Sequence, residues 1–142
     1  MPDPNKFTSI EELDMFKKTE HLCDEIWGIV ARWDKFAKDT MGRQLVRGAD
    51  SIGANLAEGD GRYHFKEKLH FYYIARGSLK ETCYWLHRAQ NRQLLTPDQT
   101  AHLLNCIQSV HRWINSLISQ RRQSTAQLRE QTEEYAIGEP MY

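Results

Sequence analysis

Apolar positions along this chain recur at intervals of three and four rather than two, and they do so in four separate stretches. In the first, Ile10, Leu13, Phe16, Leu22, Cys23, Ile26, Trp27, Val30 and Trp33 fall on one helical stripe, with Lys17, Lys18, Glu20 and Asp24 on the wet face. Ser9-Ile10-Glu11-Glu12 has the spacing of a capping box, in which hydroxyl and carboxylate each satisfy an unpaired backbone N–H, so the first helix is expected to start there. The second stretch puts Met41, Leu45, Ala49, Ile52 and Leu56 on one face, with Asp39 or Thr40 as its expected N-cap. It is crowded with small residues, among them Gly48, Ala49, Ser51, Gly53, Ala54 and Ala57. Each interior glycine costs up to about 1 kcal/mol of helix propensity relative to alanine. A closely approaching neighbour offsets that cost through dispersion contacts. Gly59-Asp60-Gly61 is expected to end this helix through a left-handed glycine.

The third stretch runs from Phe65 to Asn91 with Leu69, Tyr72, Tyr73, Leu79, Cys83, Leu86 and Ala89 facing inward, a helix of about 40 Å. Thr96-Pro97-Asp98-Gln99 then combines an N-cap, a proline at the first helical position and a glutamine three residues past the cap. Leu103, Leu104, Ile107, Val110, Ile114, Leu117 and Ile118 form the stripe that follows. Past Arg122 the text turns to Gln, Ser, Thr and Glu, which predicts a frayed end passing into a mobile tail. No period-two segment competes. The expected fold is therefore all-α, an antiparallel up-down-up-down four-helix bundle over residues 9–122, with an N-terminal extension at 1–8 and a polar tail at 123–142.

Composition agrees with one water-soluble domain: 142 residues, 40% hydrophobic and 27% charged. The polar, proline-bearing residues Met1 to Phe7 and the short apolar runs predict no signal peptide or membrane anchor, hence a cytoplasmic protein. Cys23, Cys83 and Cys106, an odd number far apart, read as core residues rather than a disulfide framework. The zero net charge hides a partition. Residues 1–39 carry six basic and nine acidic groups, residues 40–122 twelve and six, and residues 123–142 one and four. Trp27, Trp33, Tyr63, Phe71, Tyr84, Trp85 and Trp113 are more large rings than one small bundle interior holds, which predicts a homo-oligomer.

Between residues 43 and 81 stand "RQLVRGADSIGANLAEGDGR" and "FYYIARGSLKET". They resemble the four-helix-bundle family named after proteins encoded in 23S rRNA intervening sequences, whose pattern is Q-x-x-R-A-x-x-S-I-x-x-N-I-A-E-G-x-G-R followed by A-R-G-S-L. Gln44, Arg47, Ser51, Ile52, Asn55, Ala57, Glu58, Gly59, Gly61, Arg62, Ala75, Arg76, Gly77, Ser78 and Leu79 fit it. The resemblance implies a commonly pentameric bundle with no known enzymatic activity and no secure molecular role, and no cofactor is expected. A more distant relative, the accessory protein of diversity-generating retroelements, implies a reverse transcriptase and nucleic acid as partners. Gly48, where alanine is common, and His64, where serine or threonine caps the next helix, depart from the pattern.

Several constellations invite chemistry. Arg47, Asn55, Glu58, Arg62 and Arg76 stand on or beside stripes expected to be buried, and buried charge needs a partner; they are expected to form an internal network that fixes helix register, the alternative being a phosphate site. Cys83 with His87, and His102 with Cys106, share helix faces four residues apart. A hairpin centred near residue 94 would bring them level as a tetrahedral zinc set; two core cysteines beside two partly exposed histidines is the simpler reading. Glu67-Lys68-Leu69-His70 is a single E-x-x-H, whereas di-iron bundles need two. No phosphate loop or nucleophile elbow occurs, so no enzyme is expected. Arg43, Lys66, Lys68, Lys80, Arg88, Arg92, Arg112, Arg121 and Arg122 form the basic surplus that would attract RNA or DNA. The expected function is an oligomeric nucleic-acid or ribonucleoprotein binding module. The alternative is a scaffold that holds a polypeptide partner through exposed aromatics, with Trp33, Trp85 and Trp113 as its anchors.

Overall fold

The computed structural model describes residues 9–138, and from residue 135 onward the backbone alone. The expected extension at 1–8 and residues 139–142 of the expected tail lie outside the described residues. A 3-10 turn Ile10–Glu12 leads into α1 (Asp14–Ala31), then α2 (Lys35–Ala37), a π-helical turn Lys38–Gly42, α3 (Arg43–Asp60), α4 (Phe65–Asn91) and α5 (Pro97–Gly138); there is no strand among the described residues. Four long helices therefore make up the fold, and none of the helices among the described residues is long and apolar enough to cross a membrane.

The apolar stripes do converge on one interior, where Leu22, Ile26, Leu45, Ile52, Leu56, Tyr72, Leu79, Leu86, Leu103, Val110 and Ile114 are fully buried. Cross-helix pairs run in opposite numerical order between α1 and α3 and between α3 and α4. Between α1 and α3, Ile10 N–H donates to Asp60 Oδ2 at 3.2 Å and Cys23 Sγ to the Ala49 carbonyl at 3.2 Å. Between α3 and α4, Lys68 Nζ reaches the Asp60 carbonyl at 2.8 Å, and Ser51 and Ser78 share a hydroxyl pair at 2.8 Å.

The small residues of α3 have the neighbour they need. A methyl group on Gly59 would stand 3.0 Å from Phe71 Cβ and from a Tyr72 ring carbon, and one on Gly48 would stand 3.3 Å from Thr82 Oγ1. At the other end Gly42 lies so close to α1 that a Cβ would come within 2.7 Å of Val30 Cγ1. Thr82 and Ser78 are buried, and Thr82 closes its hydroxyl onto the Ser78 carbonyl at 2.8 Å, so this thin seam carries no unsatisfied polar group.

Local signals at helix ends were honoured unevenly. Thr96 and Gln99 form the reciprocal capping box, with Thr96 N–H to Gln99 Oε1 at 3.0 Å and Gln99 N–H to Thr96 Oγ1 at 3.1 Å. Ser9 does not start α1. Its hydroxyl takes the Glu11 N–H at 3.4 Å instead, Leu13 is extended with ψ 140°, and the α-helix begins at Asp14. The cause is tertiary: Ile10 is drawn into the core while its N–H is tied to the end of α3. The second helix is capped earlier than expected, by Asp34, whose Oδ1 accepts the Ala37 N–H at 3.0 Å. Trp33 sets that break by burying its indole and donating Nε1–H to the Leu94 carbonyl at 3.1 Å. Asp39 is left to pair with Lys35, and Thr40 donates to the Phe36 carbonyl at 2.6 Å.

Gly61 ends α3 with right-handed geometry, φ −74°, so the expected left-handed stop is not used there. The one positive φ among the described non-glycine residues belongs to Gln93, at 63°. It closes α4 in a Schellman arrangement: Leu94 N–H to the Ala89 carbonyl at 2.8 Å and Gln93 N–H to the Gln90 carbonyl at 3.0 Å. Finally, α5 does not stop at Arg122 but continues to Gly138, because Gln, Ala, Leu, Arg and Glu are all good helix formers and no glycine or proline intervenes.

Two stability changes follow. Gly59→Ala should lose about 1–3 kcal/mol in chemical denaturation, because the added methyl meets side-chain stems it cannot displace. Gln93→Gly should gain about 1 kcal/mol by relieving the left-handed residue.

Candidate nucleic-acid interface

α4 is neighbour to α5 along its length, and both carry the positive charge. Over α4 and the part of α5 up to Arg122 there are eight basic and three acidic residues, whereas α1 and α3 together hold four basic and seven acidic. Folding thus converts a partition along the chain into two sides of one body.

On the basic side the side chains gather around Tyr73. Arg122 Nε donates to the Tyr73 hydroxyl at 2.7 Å and its guanidinium carbon stands 5.3 Å from the ring centroid. Arg76 lies over the same ring at 5.2 Å and donates Nη1–H to Asn115 Oδ1 at 3.2 Å. One phenol is flanked by two guanidinium groups, held by the ring quadrupole on the one hand and by neutral acceptors on the other. Lys80 stands one turn beyond Arg76 and is exposed. The pKa of His111 is lowered below the ordinary imidazole value by burial, then by the positive charges of Lys80 and Arg76.

A second group sits where α4 begins. Arg121 lies over the Phe65 ring at 5.6 Å, and its buried Nε is the one such side-chain atom without a partner among the described residues. Lys68 is held below the usual ammonium value, chiefly by burial, with Arg121 adding to the effect and Asp60 opposing it. The three ion pairs among the described residues are Lys35–Asp39, Arg62–Glu58 and His102–Glu25. None includes Arg76, Lys80, Arg121 or Arg122, so this side presents cations without carboxylate partners.

The opposite side is its electrostatic complement. Glu11, Glu20, Asp24 and Asp50 line a cleft between α1 and α3. Burial, then Asp24, raises the Asp50 carboxyl, and burial with Asp50, Asp24 and Glu20 pushes the Cys23 thiol up to about 12. Such a thiol stays protonated and inert.

The residues expected to act as one internal network are not brought together. Arg47 and Glu58 are exposed, Glu58 pairs with Arg62 just past the end of α3 at 2.6 Å, Asn55 donates to Ser51 at 2.7 and 2.9 Å, and Arg76 turns to α5. The stripe they occupy borders the core rather than entering it, because α3 turns its small residues inward. The zinc set is also dispersed: His102 faces α1 and bonds Glu25 at 3.0 Å, since α5 lies against α1 as well as α4. Among the described residues no three His, Cys, Asp or Glu side chains stand close enough to hold a metal.

Of the other basic candidates, Arg43 lies with Arg47 at the far end of α3, Arg92 contacts Met41 Sδ at 3.6 Å, Arg112 contacts Ser109 at 3.5 Å, and Lys66 and Arg88 stand apart along α4. Sequence reasoning missed Tyr73, His111 and Asn115 as parts of this surface. Tyr73 packs against the core as its stripe predicts, and its hydroxyl and ring at the same time serve Arg122 and Arg76, which the stripe alone does not show.

A family model described as 23S rRNA-intervening sequence protein matches residues 11–116 of this chain. The chain is also similar to the crystal structure of a protein with unknown function from the S23 ribosomal protein family of Bacteroides thetaiotaomicron VPI-5482. That likeness has a TM-score of 0.66 at 23% identity, covers 73% of this chain and 97% of the other, and carries the fold alone. No curated protein matches the chain.

His111 reports on this surface. Its imidazole should titrate below the usual range of about 6.5 by NMR, and Lys80→Gln should move it upward. Because the folded-state value is the lower one, protonation favours the unfolded chain, and this contribution weakens stability as pH falls through the ordinary imidazole range.

Proposed function

Because this chain belongs to the 23S rRNA-intervening sequence protein family, we propose that it is a non-enzymatic, homo-oligomeric binding module that takes the phosphate backbone of RNA or DNA on its α4–α5 face. The observation that carries this reading is the pair of guanidinium groups of Arg76 and Arg122 on Tyr73, with exposed Lys80 one turn beyond Arg76, none of them paired with a carboxylate among the described residues. A guanidinium fork with free N–H groups matches phosphate geometry, and neutral partners such as Asn115 orient it without cancelling its charge. The opposite numerical order of the cross-helix pairs supports an antiparallel up-down-up-down bundle, in which these groups lie along one long surface. The net charge of the chain is zero, so the attraction is local rather than a long-range field, and repeating the face in an oligomer strengthens it. A pentamer is the assembly that the family resemblance implies, and light scattering measures it.

The test is the salt dependence of binding. For single-stranded RNA, replacing Arg76, Lys80 and Arg122 together by glutamine should reduce the slope of log affinity against log salt by about 2. Loss of affinity at low salt should be about tenfold or more. A triple variant with the affinity and salt slope of the parent chain would remove the reading. Binding should also tighten as pH falls, since a bound phosphate favours the charged form of His111.

A second reading, a scaffold for a polypeptide such as a reverse transcriptase, is supported by rings that stand free in one protomer: Trp27, Phe36, Tyr63 and Tyr84 are 62%, 78%, 89% and 57% exposed. The anchors expected from sequence are not these. Trp33 is buried and Trp85 and Trp113 are half-buried, because the apolar stripes claim them.

A further inference from the structure

Away from the α4–α5 face, the end of α1 and the start of α3 enclose a groove of about 390 Å³. Its wall is the indole of Trp27, its floor Val30 and Val46, and its rim Lys38, Arg43 and Arg47. The floor exists because Gly42 lets the π-helical turn close against Val30, where a Cβ would stand at 2.7 Å. Among the described residues no carboxylate lines the groove. Asp39 is the nearest acidic group in sequence, and it is held by Lys35 with Arg43 close by.

An apolar slot walled by an exposed indole and edged by three cations has the complementarity of a nucleotide. A base has a flat π-face that stacks on tryptophan and an apolar edge that tolerates valine, and its phosphates carry the negative charge that the rim lacks. The volume lies within the range of small-molecule sites and suits one nucleotide rather than a duplex, which keeps its bases stacked inside. Trp27 is 62% exposed, so the indole is open to a ligand.

We propose that this groove holds an unpaired nucleotide of single-stranded RNA or DNA, its base stacked on Trp27 and its phosphates on Lys38, Arg43 and Arg47. This deepens the nucleic-acid reading above, on which it rests, by naming single-stranded segments as the ligand class and by adding a contact separate from the α4–α5 cluster. The indole selects for unstacked bases, while the α4–α5 cations accept any phosphate backbone.

The test compares the full chain with Trp27→Ala, Trp27→Phe and Arg43→Gln/Arg47→Gln. The probes are a labelled oligouridylate of about 12 nucleotides and a blunt RNA duplex of about the same length. Circular dichroism verifies that each variant is folded. Trp27→Ala should weaken the single strand by about tenfold while duplex affinity changes by less than about twofold, and Trp27→Phe should retain most of the affinity. Arg43→Gln/Arg47→Gln should lower the single-strand salt slope by about 1.4. The oligouridylate should quench the tryptophan emission of the parent chain, and Trp27→Phe should lose that quenching.

Equal single-strand affinity in the parent and Trp27→Ala chains, with the α4–α5 triple variant still impaired, overturns the groove proposal and leaves the wider reading standing. Absence of any binding by the parent chain overturns both. Variants that bind RNA normally but fall to a smaller assembly in light scattering overturn it in favour of a second copy of the chain in the groove. A groove that takes an acidic peptide in preference to the oligouridylate overturns it as well.

Discussion

The close approach of α3 to α4 is the constraint on which the rest depends. Gly48, Ser51 and Gly59 leave α3 almost without side chains where it meets α4, so the two backbones pack at a distance that any added methyl would disturb. Dispersion between closely spaced backbones compensates the helix propensity that glycine forfeits. The hydroxyls of Ser51, Ser78 and Thr82 bond one another or a carbonyl, so the polar groups in the seam are satisfied at no cost in water access. A helix placed so precisely by its thin face has its other faces fixed as well, which is why Arg43 and Arg47 border the groove at one end and Asp60 anchors the 3-10 turn at the other.

From that seam the charge distribution follows. With α3 locked to α4 and α5 resting on α4, the basic positions of α4 and α5 share a side, and the carboxylates of α1 and α3 share the other. Intrachain neutralisation is therefore sparse. The cations around Tyr73 are held by a ring and an amide rather than by carboxylates, which preserves their capacity to meet an external anion. The acidic cleft has the same property with the sign reversed, and it adds to burial, the larger cause, in holding the Cys23 thiol protonated.

Most of the helical content was legible because it rests on local physics. The boundaries of α4 at Phe65 and Asn91 and the capping box that opens α5 follow from spacing and side-chain chemistry within a few residues. Signals of the same kind failed where a distant contact outbid them. Ser9 yielded its capping role because Ile10 is pulled into the core, and Asp39 lost its role to Asp34 because the buried indole of Trp33 breaks the chain there. The left-handed residue moved from glycine to Gln93 because the α4–α5 turn, not the α3–α4 turn, requires that geometry.

The candidate surfaces were legible only as residue types. Apolar periodicity, helix number, the small-residue character of α3 and the excess of basic residues in the middle of the chain are properties of the sequence alone, because each depends on spacing within one helix or on counting. Which cations share a surface depends on helix azimuth, which is set by packing against two neighbours at once. Tertiary structure alone therefore placed Arg76 and Arg122 on Tyr73, turned His102 away from Cys83 toward Glu25, buried Trp33 and left Trp27 open beside Arg43 and Arg47.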